Sequence, residues 1–332
     1  MGLGGLCCSP YRGEVLFVLF TFLFLGVTVF FTLGDVARLC RVFRSLPCEV
    51  SEELRGWSWG EPPLLYASDF LFSASEIANG FCDSGRLIYL RHVVKERERP
   101  NWRLRRGSLV HYVLSEASRI AKSIILGGVL DLEAFRYEFM ERGRRVLEAC
   151  REQFKGLRGV DELFELLWVR AVDTFSSELA KASSRSPYLS FDGLASMVVP
   201  FTCEFPVDGS LIGLSRTLRI DLMLYPNIIV EVKTRSWHPD YELGLAAYAL
   251  AFESQYEIPV NYGVVLLVRI DQSKRDLKVY ERIVRITDGL RQAFIDRRDS
   301  YAKIIEDSLD PGKAKRCSPD CPYLHVCREV AA

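Results

Sequence analysis

The sequence has no net charge, no internal repeat and no low-complexity tract, and each absence removes a class of protein. Its 43 Lys and Arg balance 43 Asp and Glu, so overall charge does not indicate a nucleic-acid partner, and any such surface must be local. The lack of repeats excludes a repeat architecture. An apolar fraction of 49% across 332 residues excludes a disordered chain and suffices for one large domain or two ordinary ones.

The sequence also lacks a regular cysteine pattern, although it has ten cysteines. Their irregular spacing in a chain of this length argues against a secreted disulfide scaffold. Six of them share no ligand spacing and are expected to be small buried hydrophobes or unused thiols: Cys7, Cys8, Cys40, Cys48, Cys150 and Cys203. Three others lie within the eleven residues CSPDCPYLHVC, namely Cys317, Cys321 and Cys327. This spacing indicates a metal or cluster site that is one ligand short of the usual four.

One long apolar run stands near the N-terminus. Residues 15–34, VLFVLFTFLFLGVTVFFTLG, contain no charged side chain and have the length of a membrane-spanning helix. The run passes without a linker into DVARLCRVFRSL, which has the apolar spacing of an amphipathic helix. Two explanations are open for residues 1–28: they form a membrane anchor, or the native chain begins near Val29. We expect the second.

The remaining sequence divides into a helical half and a mixed half. Apolar residues at helical spacing predict three long helices, at about 107–126, 131–155 and 161–184. From about residue 195 the pattern changes to strands, in MVVPFTCEFPV, LIGLSRTLRIDLMLY, NIIVEVKT, VNYGVVLLVRI and LKVYERIVRI. The helix YELGLAAYALAFES follows the third strand and has no polar face, which predicts its burial against the sheet. A last helix near 287–308 completes a chain of the α/β class.

The segment RIDLMLYPNIIVEVKT carries the candidate chemistry. Side chains alternate along a strand, so Glu231 and Lys233 lie on the same face of the strand that contains them. A three-residue turn pairs Leu224 with Ile228. In that register Asp221 lies opposite Glu231 on the neighbouring strand.

Two carboxylates and one ammonium group then converge on this hairpin. Carboxylates this close raise each other's pKa unless a cation lies between them, and a hard divalent ion such as Mg²⁺ or Mn²⁺ prefers oxygen ligands. Asp221 and Glu231 are therefore candidate metal ligands. Lys233 is a candidate for activating a water molecule or offsetting the charge on an attacked phosphate. The alternative is an ordinary solvated strand face, since Glu-x-Lys pairs are common by chance, but the apolar neighbours of this pair argue against it.

A second candidate surface is the basic stretch RHVVKERERPNWRLRR at residues 91–106. Seven Lys or Arg accompany two Glu in this stretch, and Trp102 lies among them. Such runs are commonly solvated surface, but basic residues interleaved with an aromatic ring are also typical of a groove that follows nucleic-acid phosphates. The candidates for substrate binding are Trp102, Arg103, Arg105 and Arg106.

The order of Asp, hairpin turn and Glu-x-Lys before a helix resembles the PD-(D/E)xK nuclease superfamily. Its RecB-like branch adds a helical histidine upstream and a tyrosine on the helix after the Glu-x-Lys strand. His111 in RGSLVHYVL matches the histidine, and Tyr248 in LAAYALAFE matches the tyrosine. The resemblance makes Tyr248 a further candidate for substrate binding. Glu204 in TCEFPV resembles a further acidic residue of this branch. The glutamine that usually precedes the tyrosine by four residues is absent, since Gly244 stands there.

A fourth cysteine, Cys82 in FCDSGRLIYL, extends the resemblance. One cysteine ahead of the nuclease motifs and three after them resemble the RecB-like CRISPR-associated exonuclease family, in which four such cysteines hold an iron–sulfur cluster. The segments LRGWSWGEPPL and CDSGRLIYL are similar to its archaeal branch linked to subtype I-A systems, and the resemblance covers residues 29–330. It implies a [4Fe-4S] cluster on Cys82, Cys317, Cys321 and Cys327. Spacing alone leaves Zn²⁺ on four thiolates open.

The resemblance implies a cytoplasmic, metal-dependent DNA exonuclease that processes DNA for CRISPR spacer acquisition, with endonuclease activity left open. Residues 191–310 would form a restriction-endonuclease-like α/β core between a helical region, 29–190, and a cluster-binding tail, 311–332. The implied ligands of Mg²⁺ or Mn²⁺ are His111, Glu204, Asp221 and Glu231. The implied partners are single-stranded DNA or DNA ends and the CRISPR integrase proteins, with a homo-oligomer open and a membrane not expected. The rival hypotheses are a non-catalytic, DNA-binding iron–sulfur scaffold subunit and a membrane-anchored protein.

Overall fold

The computed structural model describes residues 29–79, 81–99, 101–271, 276–315 and 317–329. Most of the N-terminal apolar run, residues 15–28, lies outside the described residues, and so do Cys7 and Cys8. Within the described ranges, no helix combines the length and apolarity needed to cross a bilayer.

The end of the apolar run belongs to the hydrophobic core. Residues 29–31 are at most 1% exposed, and the ring of Phe30 packs edge-to-face on Phe175 with centroids 5.2 Å apart. Thr32 then caps the first helix. Its Oγ1 accepts a hydrogen bond from Asp35 N at 3.2 Å, and Asp35 Oδ2 accepts one from Thr32 N at 2.9 Å. The predicted amphipathic helix is confirmed.

Helices make up nearly half of the described residues. In chain order they are α1 (Leu33–Arg44), α2 (Ala74–Ile77), α3 (Arg86–Ile88), α4 (Trp102–Leu126), α5 (Leu132–Gln153), α6 (Val160–Arg185), α7 (Phe191–Val198), α8 (Asp240–Tyr256), α9 (Asp288–Glu306) and α10 (Leu324–Glu329). The three long helices predicted before residue 185 are confirmed as α4, α5 and α6. α4 begins earlier than predicted because Asn101 caps it: Asn101 Oδ1 accepts hydrogen bonds from Arg103 N at 2.9 Å and Leu104 N at 3.1 Å.

The strands form a five-stranded mixed sheet. They are β1 (Phe201–Val207), β2 (Leu218–Leu224), β3 (Ile228–Lys233), β4 (Tyr262–Asp271) and β5 (Asp276–Arg285), and they lie in that order across the sheet. β3 and β4 are parallel and are joined through α8, whereas the other neighbouring strands are antiparallel. The protein is therefore of the mixed α/β class, as predicted.

One predicted element was wrong. The first strand was expected from about residue 195, but the chain up to Val198 forms α7. Ser190 caps this helix, since its Oγ accepts a hydrogen bond from Gly193 N at 3.2 Å. A short apolar run does not by itself distinguish a buried helix from a strand, so the cap decided the outcome.

The β2–β3 hairpin has the register expected from its turn. Leu224 pairs with Ile228, and Asn227 between them has a left-handed backbone with a φ of 54°. The ladder ends at the pair Leu222–Val230, one position before Asp221 and Glu231.

Helices cover both faces of the sheet. α1 and α4 to α7 share one hydrophobic core with Val230 and Val232, and α8 and α9 share a second core, on the other face, with Ile229 and Val265. Side chains alternate, so Glu231 belongs to the face that α8 covers. The predicted burial of α8 is confirmed, because 13 of its 17 residues are buried.

A buried ion-pair network joins α8 to α9. Glu253 and Arg291 are both fully buried, and the two oxygens of Glu253 accept hydrogen bonds from Arg291 Nη1 at 2.6 Å and Nη2 at 2.9 Å. Oε1 also accepts from Arg55 Nη1 at 2.9 Å and Val260 N at 2.8 Å, and Oε2 accepts from Gly56 N at 2.9 Å. Five donors therefore satisfy this buried carboxylate.

Candidate metal centre and cysteine cluster

Three side chains with metal-binding atoms meet beside the hairpin. His111 from α4, Glu204 from β1 and Asp221 from β2 each place one ligand atom within 4.8 Å of the others. His111 Nδ1 lies 3.4 Å from Asp221 Oδ1. The packing of α4 along β1 brings the histidine to the two carboxylates.

Glu204 reaches this position through an unusual backbone. Its φ is 52°, in the left-handed region that residues other than glycine rarely adopt. The β1–β2 ladder is interrupted there: Cys203 pairs with Leu222 and Phe205 pairs with Ile220. Such a conformation costs about 1–3 kcal/mol and is typical of functional sites. The distortion thus falls at a residue of the candidate centre.

The hairpin carboxylates hold protons more tightly than ordinary ones. Burial raises the pKa of Asp221 to about 6, although Lys233 and the Val232 N–H, which lies 2.8 Å from Oδ2, favour the charged form. Burial and then the charge of Asp221 raise the pKa of Glu231. Glu231 is 6% exposed, its Oε1 accepts from Lys233 Nζ, and its buried Oε2 has no hydrogen-bond partner among the described residues. Both features indicate a carboxylate pair that a cation would stabilise.

His111 is suited to be a neutral ligand. Burial lowers its pKa and Lys233 acts in the same direction, while Glu231 and Glu204 oppose them. Neutral imidazole is the form that binds metal ions. Together with the carboxylates of Asp221 and Glu204, it forms an oxygen-rich donor set that fits Mg²⁺ or Mn²⁺. Glu231 lies outside this group of three, and its Oε1 accepts a hydrogen bond from Lys233.

Tyr248 lies beneath the carboxylates on α8. It is 8% exposed, and burial, followed by the charges of Glu231 and Asp221, raises its pKa well above the ordinary value. One turn earlier, a Cβ at Gly244 would lie 3.4 Å from Ala78 Cβ and 3.8 Å from Glu231 Oε1. Gly244 thus lies in van der Waals range of Ala78, at the end of α2, and close to the Glu231 carboxylate.

The N-terminal turn of α4 brings part of the basic stretch to the end of β3. At Gly107 the helix passes so close that a Cβ would lie 3.2 Å from Oγ1 of Thr234, the residue after β3. Trp102 is 54% exposed, and the guanidinium carbons of Arg103 and Arg106 lie 5.2 Å and 5.1 Å from its ring centroid. An exposed aromatic ring with two cations thus lies near the end of β3. We call the surface formed by Trp102, Arg103 and Arg106 beside Thr234 the mouth of the candidate centre.

Two of the predicted basic residues are held by other parts of the chain. Arg105 Nη2 donates to the Lys155 carbonyl at 2.9 Å, which directs Arg105 towards the end of α5. Arg103 Nη1 forms an ion pair with Asp320 Oδ1 at 2.6 Å, and Asn101 Nδ2 donates to the Asp320 carbonyl at 3.2 Å. The C-terminal tail therefore holds the start of α4.

The four predicted cluster cysteines lie close enough to influence one another's ionisation. Burial, with Cys82, Cys327 and Cys317 acting in the same direction, raises the pKa of the Cys321 thiol to about 11. Burial, followed by Cys327 and Cys82, also raises the pKa of Cys317. Arg86 Nη1 donates to Cys327 Sγ at 3.5 Å. The raised pKa values of Cys317 and Cys321 and the guanidinium beside Cys327 fit a metal or cluster that binds the cysteines as thiolates.

The tail docks on the segment that carries Cys82. Arg86 Nη2 forms an ion pair with Asp310 Oδ2 at 2.8 Å, and Ser84 Oγ donates to the Gly312 carbonyl at 2.8 Å. Further along, Arg99 N donates to the Pro322 carbonyl at 3.1 Å. These contacts join the early and late parts of the chain around the four thiols.

The other described cysteines are separate thiols. Cys150 is fully buried, as expected, while Cys40, Cys48 and Cys203 are partly buried. Burial raises the pKa of Cys150 to about 11 and that of Cys203 to about 12. All eight described cysteines are free of disulfides.

The chain resembles known proteins over most of its length. A family model described as CRISPR-associated exonuclease Csa1 matches residues 29–330. The chain belongs to this family. A Csa1 relative from Saccharolobus solfataricus is 36% identical over 301 residues, which is 90% of this chain and 99% of the relative. A Csa1 relative from Thermoproteus tenax is 30% identical over the same number of residues and the same shares of the two chains. The family resemblance inferred from the hairpin and the cysteines is confirmed.

Sequence analysis missed three residues beside the centre of this Csa1 family member: Phe81, Arg235 and Tyr241. The Tyr241 ring centroid lies 5.4 Å from Lys233 Nζ, and the guanidinium carbon of Arg235 lies 4.2 Å from the Phe81 ring centroid. The only signal was a basic residue two positions after Lys233, which reads as an ordinary loop residue.

Proposed function

We propose that the chain is a metal-dependent DNA nuclease that trims single-stranded ends for CRISPR spacer acquisition. The observation that carries the proposal is the meeting of His111, Glu204 and Asp221 within 4.8 Å, beside the Glu231–Lys233 pair. The name shared by both relatives, CRISPR-associated exonuclease, supports the same class of reaction. A restriction-endonuclease-like role of the hairpin is part of this proposal.

The chain's own residues have distinct tasks in this reaction. Mg²⁺ or Mn²⁺ held by His111 and the carboxylates of Glu204, Asp221 and Glu231 would supply Lewis acidity and lower the pKa of a water molecule. The Val232 N–H occupies Asp221 Oδ2, which leaves Oδ1 facing His111. Burial lowers the pKa of Lys233, but Glu231 and Asp221 outweigh it and keep the ammonium charged. That charge can offset the negative charge that builds up on an attacked phosphate.

The mouth of the centre suits an unpaired strand. The exposed Trp102 ring offers a surface on which a base can stack, and Arg106 beside it offers a cation to the backbone. The integrase partners and a homo-oligomer remain proposals from the family resemblance.

Digestion of end-labelled single strands tests the proposal. We expect purified protein to shorten a labelled oligonucleotide with Mn²⁺ or Mg²⁺ and to stop when EDTA is added. Asp221→Asn removes the charge of a proposed ligand and is expected to lower the rate at least about 10²-fold, because the ion supplies several kcal/mol. Asp173→Asn is the matched control, since Asp173 lies in an exposed ion pair with Arg136.

Equal rates for Asp221→Asn and the unaltered chain would contradict the proposal. Binding of the oligonucleotide without metal-dependent cutting would instead support the non-catalytic scaffold subunit.

We further propose that Cys82, Cys317, Cys321 and Cys327 hold a [4Fe-4S] cluster with a structural role. The raised pKa of Cys321, to which Cys82, Cys327 and Cys317 contribute, and the contact of Arg86 with Cys327 support a group that binds these cysteines as thiolates, and the family resemblance favours iron over Zn²⁺. An anaerobic ultraviolet–visible spectrum with iron and zinc counts distinguishes the two metals. Broad visible absorption with bound iron is expected, and a colourless zinc protein would overturn the iron assignment.

Loss of Cys82 is expected to damage the cluster as much as loss of Cys321. Each replacement by serine removes one of four ligands, and the site joins distant parts of the chain, so both variants should lose bound iron and unfold at similarly lowered temperatures. Iron counts and thermal melts measure this. Cys40→Ser is the control outside the cluster, and full iron content in Cys82→Ser would refute the assignment of Cys82.

A further inference from the structure

We propose that Arg235 binds the backbone phosphate next to the one that is cut, and that Arg106 binds the strand on the opposite side of the mouth. The proposal deepens the proposed nuclease function and rests on it. It assigns a substrate-binding role to Arg235, which neither the hairpin motif nor the basic stretch contains.

Arg235 is fixed beside the candidate centre by two aromatic rings. Its guanidinium carbon lies 4.2 Å from the Phe81 ring centroid and 5.7 Å from that of Tyr241. The same Tyr241 ring lies 5.4 Å from Lys233 Nζ. Lys233 and Arg235 thus both lie against the Tyr241 ring. This shared ring places Arg235 next to the position proposed for the reacting phosphate.

Arg235 has no acidic partner in the part of the chain that the structure describes. Neighbouring arginines are paired: Arg282 Nε lies 2.7 Å from Glu242 Oε1, and Arg297 Nη1 lies 2.7 Å from Asp240 Oδ2. A half-buried guanidinium that is held by aromatic rings but lacks a carboxylate retains its hydrogen-bonding fork for an anion. A phosphate is the anion that a strand of DNA would present there.

Arg106 repeats this arrangement on the other segment. It is half-buried, its guanidinium carbon lies 5.1 Å from the Trp102 ring centroid, and its buried Nε has no hydrogen-bond partner among the described residues. The two segments meet where Gly107 approaches Thr234, one position from each arginine. Two guanidiniums, each against an aromatic ring, therefore flank the entrance to the centre.

Residues next to the four cysteines support the two segments that carry Arg235 and Arg106. Phe81 precedes Cys82, and Asn79 Oδ1 accepts hydrogen bonds from the backbone N–H groups of both, at 2.7 Å and 3.1 Å. On the other side, Asp320 holds the first turn of α4 through Arg103. The geometry thus links the four-cysteine site to the shape of the mouth.

Binding measured without divalent metal tests the inference separately from cleavage. Anisotropy of a fluorescent single-stranded oligonucleotide in EDTA, over a range of salt concentrations, compares the unaltered chain with Arg235→Ala. Loss of a charge-assisted phosphate contact should weaken binding about 10- to 100-fold and reduce the salt slope by about 0.7. Arg235→Lys should restore the slope but only part of the affinity, since an ammonium lacks the bidentate fork.

Arg185→Ala is the matched control. Arg185 is exposed at the C-terminal end of α6, roughly 35 Å from the start of that helix. The start of α6 is the end that lies near the basic stretch: Arg151 of α5 contacts Asp161 there, and Arg105 contacts the residue Lys155 just after α5. Arg185→Ala removes one positive charge, as Arg235→Ala does, and should leave the affinity for the oligonucleotide and the salt slope unchanged. Far-UV circular dichroism and thermal melts should match for all variants.

The outcomes separate this inference from the proposed nuclease function. With Mn²⁺, Arg235→Ala should raise KM and leave kcat nearly unchanged, as loss of uniform binding does. Unchanged affinity and slope in Arg235→Ala, with an active unaltered chain, would overturn the Arg235 assignment and leave the nuclease standing. An Arg235-dependent slope in a chain that never cuts would support the binding site and overturn the nuclease.

Discussion

Alanine in place of Lys233 is expected to lower the rate of strand cleavage about 10²–10³-fold, which is the usual cost of removing one group that stabilises charge in a transition state. Lys233 Nζ contacts Glu231 Oε1, and the carboxylates of Glu231 and Asp221 keep it charged despite burial. The effect should appear in single-turnover cleavage of a saturating labelled single strand with Mn²⁺. Binding of the strand should change far less, since Arg235 and Arg106 carry the proposed phosphate contacts.

Lys181→Ala is the control for the Lys233 variant. Lys181 lies near the end of α6 in an exposed ion pair with Glu178, so the same charge is lost far from the hairpin. A Lys233→Ala rate equal to that of the control would remove Lys233 from the proposed mechanism. A variant that neither cuts nor binds would indicate a folding defect, which a thermal melt detects.

Glutamine in place of Glu253 is expected to lower the free energy of unfolding by about 3–5 kcal/mol, the range found when one partner of a buried ion pair is removed. Arg291 would lose its counter-charge while remaining fully buried. The amide –NH₂ of glutamine would also face a donor where the carboxylate now accepts hydrogen bonds, including those from Gly56 N and Val260 N. Denaturant unfolding measures the change, because the network joins α8 to α9 in the core.

Glu242→Gln is the matched control on the same helix. Glu242 pairs with Arg282 at the surface, where the two side chains are 24% and 52% exposed, so its loss should cost about 0–1 kcal/mol. Equal unfolding free energies for the two glutamine variants would show that the buried network contributes no more than a surface pair.

Residues next to the proposed cluster ligands contact the basic side chains beside the candidate centre. Cys82 adjoins Phe81, whose ring lies against Arg235, and Asp320, between two tail cysteines, forms an ion pair with Arg103.

Local patterns predicted much of the fold. Alternation along β3 and the length of the Tyr225–Asn227 turn set the hairpin register, because both depend on residues only a few positions apart. The long helices and the burial of α8 followed from apolar periodicity in the same way. α7 was missed because its apolar run was too short for periodicity to decide.

The sequence alone determined the hairpin, its Asp221, Glu231 and Lys233, and the family to which the chain belongs. Only the tertiary structure decided which distant residues contact these elements. Strand and helix periods can be read from a short stretch of sequence, whereas packing between distant segments cannot. It placed Ala78 against Gly244, Arg235 against Phe81, and five hydrogen-bond donors around Glu253. It also decided which of the described arginines form an ion pair with a carboxylate, since that depends on all the side chains around each guanidinium.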